Sequence, residues 1–191
     1  IVGAKDHEVV VMNGLTANLH LMMVSFYRPT DKRFKVVIEK DAFPSDRYAV
    51  ESQLRFHGYD PKEALIQWAP PNGEELCNFA DLEDLMTAQG HQVALVLLGN
   101  TNYYTGQAYP IDRITNLGHQ HGALVGFDLA HGVGNIMPEL HKNGPDFAVW
   151  CTYKYLNSGP GSLGGVFVHE RHAQDKTLPR FTGWWGHNKT T

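Results

Sequence analysis

The chain is poor in cysteine, has no long apolar run and carries no strong excess of one charge. Two cysteines, Cys77 and Cys151, in 191 residues cannot form the disulfide framework of a small secreted domain. A reducing, intracellular compartment, and with it a cytoplasmic location, is therefore expected. The longest clean apolar run is VALVLL at 93–98, far below the ~20 residues that a membrane-spanning helix needs. No charged-then-apolar leader opens the chain. A formal net charge of -4 argues against nucleic acid or an anionic membrane as the main partner. Internal repeats, low-complexity tracts and linker-like stretches are missing as well. The first residue is Ile1 rather than Met, and residues 1–11 already read as the inside of a fold. A piece of a longer protein is expected.

What is present is one large domain's worth of alternating patterns. The runs VVVM (9–12), FKVVIE (34–39), ALIQWA (64–69), VALVLL (93–98), ALVGFD (123–128), FAVWCT (147–152) and GVFVHE (165–170) read as buried strands. Amphipathic helix patterns lie between several of them, at Asn13–Phe26, Asp46–His57, Leu82–Ala88 and Ile111–His121. This order predicts an α/β fold: a mostly parallel seven-stranded sheet covered by helices on both faces, in three α/β/α layers. Ligands of such sheets bind outside the carboxyl ends of the strands.

The residues at those ends form a coherent set. NGLT (13–16) opens a helix and offers backbone N–H groups with the Thr16 hydroxyl to a phosphate. Phe43, just after a strand, can stack on an aromatic ring. Asp128, at a strand end, can keep a ring nitrogen protonated. Lys154 follows the apolar strand FAVWC, where a lysine can lose its charge and form a Schiff base. Together they suit pyridoxal 5'-phosphate (PLP). Singly, each has a plainer explanation. A lysine is usually a solvated charge, a strand-end Asp is often a turn former, a Phe is more often core, and Thr16 could be only a helix cap. Their joint order across several strand ends carries the inference.

Other motifs are weaker. Gly159, Gly161 and Gly164 match a dinucleotide loop, but they run into another apolar strand rather than a helix and enclose Pro160. They are expected to let the backbone turn tightly beside the cofactor. The eleven histidines do not form a zinc pattern. HERH (169–172) lacks the four-residue spacing, and Asp128 with His131 lacks a third ligand, so no metal is expected. Cys77, in a polar connection, and Cys151, inside a strand, are poor candidates for the nucleophile of a desulfurase.

The segments GFDLAHGVGN and FAVWCTYKYLNSGPGSLGGVFVHERH resemble the kynureninases, PLP enzymes of the aspartate-aminotransferase (type I) fold. LTANLHLMMVSFYRPT, AFPSDRYAVESQLRFHG, YYTGQ and GWWGH support the resemblance in the same order. It implies that Lys154 attaches the cofactor, that Asp128 pairs with the pyridine nitrogen and that His131 lies close by. It further implies that Phe43 stacks on the ring, that Pro44, Ser45 and Asp46 adjoin it, and that Leu15, Thr16, Tyr153 and Trp184 meet the phosphate. A dimer interface is expected at Trp184. Gly99 and Asn100 stand where relatives can place a serine, so a contact from that loop is in question. The implied reaction is hydrolysis of L-kynurenine or 3-hydroxykynurenine to an anthranilate and L-alanine, in tryptophan catabolism and NAD biosynthesis. Lys154, Asp128 and Tyr153 are the implied catalytic groups, Tyr153 as candidate base for the attacking water. The implied protein is a cytoplasmic homodimer. Residues 1–191 read as most of its PLP-binding large domain, without the N-terminal arm or the C-terminal small domain. Another type I enzyme, a transaminase or desulfurase, and a non-catalytic copy of the fold are the alternatives.

Overall fold

The computed structural model describes residues 1–182. Its strands are β1 (Val9–Met12), β2 (Lys35–Glu39), β3 (Leu65–Trp68), β4 (Val93–Gly99), β5 (Leu124–Asp128), β6 (Phe147–Trp150) and β7 (Gly164–Val168). Each coincides with an apolar run of the sequence, and the inner strands are buried as expected. The edge strands β1 and β3 are only partly covered, with Val10 and Val11 exposed, in contrast to the buried strands expected there. The helices are α1 (Leu15–Phe26), α2 (Pro44–Phe56), α3 (Pro61–Ala64), α4 (Phe79–Gln89), α5 (Ile111–Gln120) and α6 (Leu140–Asn143).

The strands form one sheet in the order β1-β7-β6-β5-β4-β2-β3. β3, β2, β4, β5 and β6 run parallel, and β7 runs antiparallel to both β6 and β1. From β2 the chain moves outward to β3, then returns to β4 and builds in the other direction. The gap between the ends of β2 and β4 is therefore the topological switch point, where a ligand crevice belongs.

Alternate strand residues fill two cores. On one face Val36, Ile38, Leu95, Leu97, Phe147 and Val149 meet Leu19, Met23 and Phe26 of α1 and Val50 and Leu54 of α2. On the other, Val37, Val96, Leu98, Val125, Phe127 and Ala148 meet Leu82 and Met86 of α4 and Ile111 and Ile114 of α5. Fully burying each such side chain is worth about 1.5–3 kcal/mol. Phe147 stacks on Phe26 at 5.1 Å and lies across Gly126 of the neighbouring strand, where a Cβ would sit 2.1 Å from its ring. A side chain at 126 would displace that ring from the core.

At the far end of the sheet, Asp146 closes the start of β6. It is 1% exposed and accepts the Val125 N–H at 2.7 Å. It also pairs with His119 Nε2 at 2.9 Å, His172 Nε2 at 2.8 Å and Arg171 Nε at 3.4 Å. Burial works to raise its pKa, but the histidines and the Val125 N–H outweigh it and hold the carboxyl well below its ordinary value. The network joins α5, the β5 and β6 starts and the turn at Glu170–His172.

Candidate active site

At the switch point the ends of β2, β4, β5 and β6 meet the first turns of α1 and α2 around a cleft of about 530 Å³, mouth included. Leu15, Thr16, Phe43, Ser45, Asp46, Asp128, His131, Tyr153 and Lys154, all singled out in the sequence, line it together. Two expected residues do not. Pro44 is the first residue of α2 with its side chain in solvent, so it sets the helix start, a position that suits proline. Trp184 lies outside the described residues.

The cleft also has residues that sequence reasoning missed: Glu39 from β2, Gly99, Thr101 and Tyr103 from the loop after β4, and Ala130. The loop GNTNYYTGQ stood out as a strand end, but nothing in its pattern says which side chains turn inward. Thr101 supplies a hydroxyl from the loop where Gly99 and Asn100 put a contact in question.

One wall is built for an anion. The N-terminal ends of α1 and α2 converge, with Thr16 Oγ1 2.9 Å from Ser45 Oγ. Helix N-termini point free N–H groups and the positive end of the dipole at such a spot. A second wall is aromatic. Lys154 Nζ stands 5.3 Å from the Phe43 ring centre and 5.9 Å from that of Tyr153. Tyr103 meets Phe43 edge-on at 5.3 Å and His131 at 6.3 Å.

The floor is acidic. Asp128 is 8% exposed and its Oδ1 accepts the Ala130 N–H at 2.6 Å. Asp46 is half-buried, and its Oδ1 is sealed from solvent with no hydrogen-bond partner. Burial, then the adjacent Asp128 and Glu39, push the Asp46 carboxyl far up, against the pull of Lys154. Burial first and the Lys154 charge second hold His131 below its ordinary value, against Asp128. Burial and the neighbouring Cys151 push the Tyr153 phenol up. Among the described residues lining the cleft, Lys154 is the one lysine or arginine set against three carboxyls, Glu39, Asp46 and Asp128. Such a site favours a ligand that brings a cation to the floor and an anion to the helix ends.

The glycine run fits this picture. Gly159 and Gly161 have φ of +89° and +78°, and Gly164 begins β7, so the run turns the chain back instead of opening a helix. Cys151 is buried just beyond β6, and Cys77 is also buried, in contrast to the polar connection expected from its neighbours. Trp68 and Tyr109 join Cys77 in the same core. Among the described residues, Glu8, His141 and His169 bring possible metal-ligand atoms within 4.8 Å of one another. They stand where β1 begins and β7 ends, at the opposite end of the sheet. Glu8 already accepts the N–H groups of Lys5 at 2.8 Å and Glu170 at 2.9 Å and pairs with His141 at 3.0 Å. The trio anchors the N-terminal segment.

Comparison with known proteins agrees with this geometry. The chain is 63% identical over 191 residues to a kynureninase of Myxococcus xanthus, covering 100% of this chain and 45% of that protein. It is 59% identical over 191 residues to a kynureninase of Salinispora tropica, covering 100% and 44%. With a kynureninase of Nematostella vectensis the identity is 51% over 191 residues, covering 100% and 41%. The chain thus spans less than half the length of these curated relatives. Among solved structures, a cysteine desulfurase from Thermococcus onnurineus NA1 superposes with a TM-score of 0.72 at 19% identity, over 90% of this chain and 40% of that one. An alanine–glyoxylate aminotransferase from Nostoc gives 0.69 at 18% identity, over 90% and 42%. At such identities these two speak for the fold alone. The model of the aminotransferase class-V family matches residues 1–183, and with the sheet order and the cleft in place, the chain belongs to that family.

Proposed function

We propose that this chain forms most of the PLP-binding large domain of a kynureninase, which hydrolyses L-kynurenine or 3-hydroxykynurenine to an anthranilate and L-alanine. The observation that carries the reading is the cleft's charge pattern: a lysine over an aromatic ring, a floor of carboxyls and two helix N-termini opposite. The residues fit PLP. Asp46 Oδ1 is a sealed, unpartnered polar atom on a floor whose Asp128 a protonated ring nitrogen would complement. The paired Thr16 and Ser45 hydroxyls suit a phosphate. The 51–63% identity with named kynureninases selects this substrate class over a transaminase or desulfurase. The buried Cys77, its thiol pushed up by burial, also speaks against a desulfurase nucleophile.

PLP, when bound, supplies an aldehyde for amine exchange and a protonated ring that draws electrons from the substrate Cα. The chain's own residues do the rest. Asp128 is held in place by the Ala130 N–H and would keep the ring nitrogen protonated. Phe43 and Tyr103 close the apolar side of the cleft, and Thr16 and Ser45 would hold the phosphate. Lys154 would be the attachment amine and, once free, would move the proton at Cα. The net reaction adds one water: the Cβ–Cγ bond breaks, hydroxyl stays on the acyl carbon and a proton goes to Cβ. Tyr153 carries its proton at neutral pH, which makes it a hydrogen-bond donor in the resting cleft. To serve as the base for water it must first give that proton up. His131, neutral at pH 7, lines the same side.

No helix among the described residues is long and apolar enough to cross a membrane. A cytoplasmic homodimer with neither a nucleic acid nor a membrane partner is part of the same proposal. Tyr104 and Tyr155, exposed and set against the cleft residues Tyr103 and His131, suit a second subunit. The test uses the full-length protein with PLP and L-kynurenine. Anthranilate fluorescence should rise at roughly one turnover per second or faster. Borohydride followed by peptide mapping should place the pyridoxyl group on Lys154. A label on another lysine, or kynurenine consumed without anthranilate, would overturn the assignment.

A further inference from the structure

We propose that Glu39 is a positioning residue of this cofactor site: a buried carboxyl at the switch point that gives up a proton when a cationic ring settles against Asp128. The inference rests on the PLP reading above and adds a residue which that reading leaves without a role.

Glu39 ends β2 and is 6% exposed. Both its carboxyl oxygens lie 3.2 Å from the Gly99 nitrogen, which donates its N–H to them from the end of β4. Gly99 is register-paired with Asp128, and the next N–H, of Asn100, donates to the Asp128 carbonyl at 3.1 Å. A Cβ on Gly99 would sit 2.9 Å from Glu39 Oε1. The carboxyl therefore fills the space beside the strand end that a side chain at 99 would need. Glu39 thus reaches the cofactor site through the Gly99 backbone and the charge of Asp128.

Its surroundings decide its charge. Asp128 faces it from β5 and Asp46 from α2, while Cys77 and Tyr109 feel its charge from behind. Lys154, across the cleft, is the one cation opposing these carboxyls among the described lining residues. Like charges in a low-dielectric cleft cannot all ionise. Burial first, opposed by the N–H groups of Glu39 itself and of Gly99 and reinforced by Asp128, pushes Glu39 up to about 7. Near pH 7 part of the Glu39 population in the empty cleft is then protonated. A cation arriving at Asp128 favours the carboxylate, so the proton leaves to solvent. Asp128 and Glu39 would then both place negative charge on the floor that would receive the ring.

The test is proton counting by calorimetry. Cofactor-free full-length protein is titrated with PLP in buffers of different ionisation heat, for wild type and Glu39→Gln. Glutamine keeps the shape and the acceptor for the Gly99 N–H but holds no titratable proton. Wild type should release more protons than Glu39→Gln at pH 7, by up to about half a proton, with the difference shrinking as pH rises above 8. Equal counts in proteins that both take up PLP would overturn the role of Glu39 and leave the cofactor reading standing. Wild type that takes up no PLP would overturn both. If Glu39→Gln does not fold by circular dichroism, infrared difference spectra of wild type replace it. The carboxylic-acid signal lost on adding PLP should be larger at pH 6 than at pH 8, and an equal loss at both would overturn the inference.

Discussion

Asp46 and Asp128 belong to one cleft, yet their surroundings set them different tasks. Asp128 has an anchored oxygen, taken by the Ala130 N–H at 2.6 Å, whereas Asp46 Oδ1 is sealed and unpartnered and its carboxyl is pushed far up. At neutral pH the empty cleft holds Asp46 protonated, a state that asparagine imitates in size and hydrogen-bonding. Asp128→Asn instead removes the charge proposed to face the ring nitrogen, and breaking such a buried pair at one partner costs about 3–5 kcal/mol. PLP affinity in the full-length protein should therefore fall far more in Asp128→Asn than in Asp46→Asn, where the change should stay within about tenfold. An absorbance titration that ranked the two variants the other way would remove this division of labour. The residues that could be read from the sequence stand at or just past the end of an apolar strand: Asp128 closes one, and Thr16, Phe43 and Lys154 follow one. Glu39 ends its run, FKVVIE, just as Asp128 ends ALVGFD, and a reading of the sequence passes over it in favour of the KDAFPSD stretch that follows it. Only the structure shows its side chain turned toward Gly99. Tyr103 and Thr101 sit in a loop, and a loop has no period from which an inward direction could be inferred.

At the scale of elements, the inner strands were legible because a sheet covered on both faces turns each of them into a nearly uninterrupted apolar run, while the edge strands β1 and β3 showed as apolar runs although they are only partly covered. Helix bounds were less legible, and their ends explain why. α1 starts at Leu15 because Asn13 takes a φ of +45°, outside the helix that its neighbours suggest. α4 starts at Phe79, ahead of its apolar stripe, because the Asn78 side chain caps Ala80 N at 3.2 Å. α3 and α6 are four residues each, too short for any helical period to register. The Asp146 network is an element-level device of the same kind, drawing α5, β5, β6 and the Glu170–His172 turn onto one carboxylate. Its folded pKa lies below the unfolded one, so its stabilisation is present above about pH 4 and is lost as pH falls toward the folded value. Asp146→Asn should lower the thermal midpoint at pH 7, by an amount corresponding to about 3–5 kcal/mol for a broken buried ion pair. The gap to wild type should narrow steadily below pH 4. A gap that stayed constant down to pH 2 would mean that packing, not the charge of Asp146, carries the effect.

For the whole molecule, what the cleft lacks bears on what it can do alone. No arginine is among the described residues that line it. Arg47, the nearest in sequence, is exposed on α2 and pairs with Glu51 at 2.9 Å. A kynurenine bound through its amine still has a free carboxylate, and the Cα–H bond must be held in line for proton removal. A bidentate guanidinium suits that task, and correct orientation is worth on the order of 7–11 kcal/mol in such reactions. We propose that this clamp comes from the rest of the protein or from a second subunit, in keeping with curated relatives more than twice as long as this chain. Residues 1–191 by themselves hold the helix N-termini, the aromatic wall, the carboxyl floor and Lys154. They should therefore take up PLP and be labelled at Lys154 by borohydride, yet show no measurable anthranilate from kynurenine. Adding a small primary amine to the PLP-loaded chain should still shift its visible band, because amine exchange at Lys154 needs no carboxylate clamp. Kynurenine turnover by residues 1–191 near one per second would show that the cleft already contains everything the reaction requires.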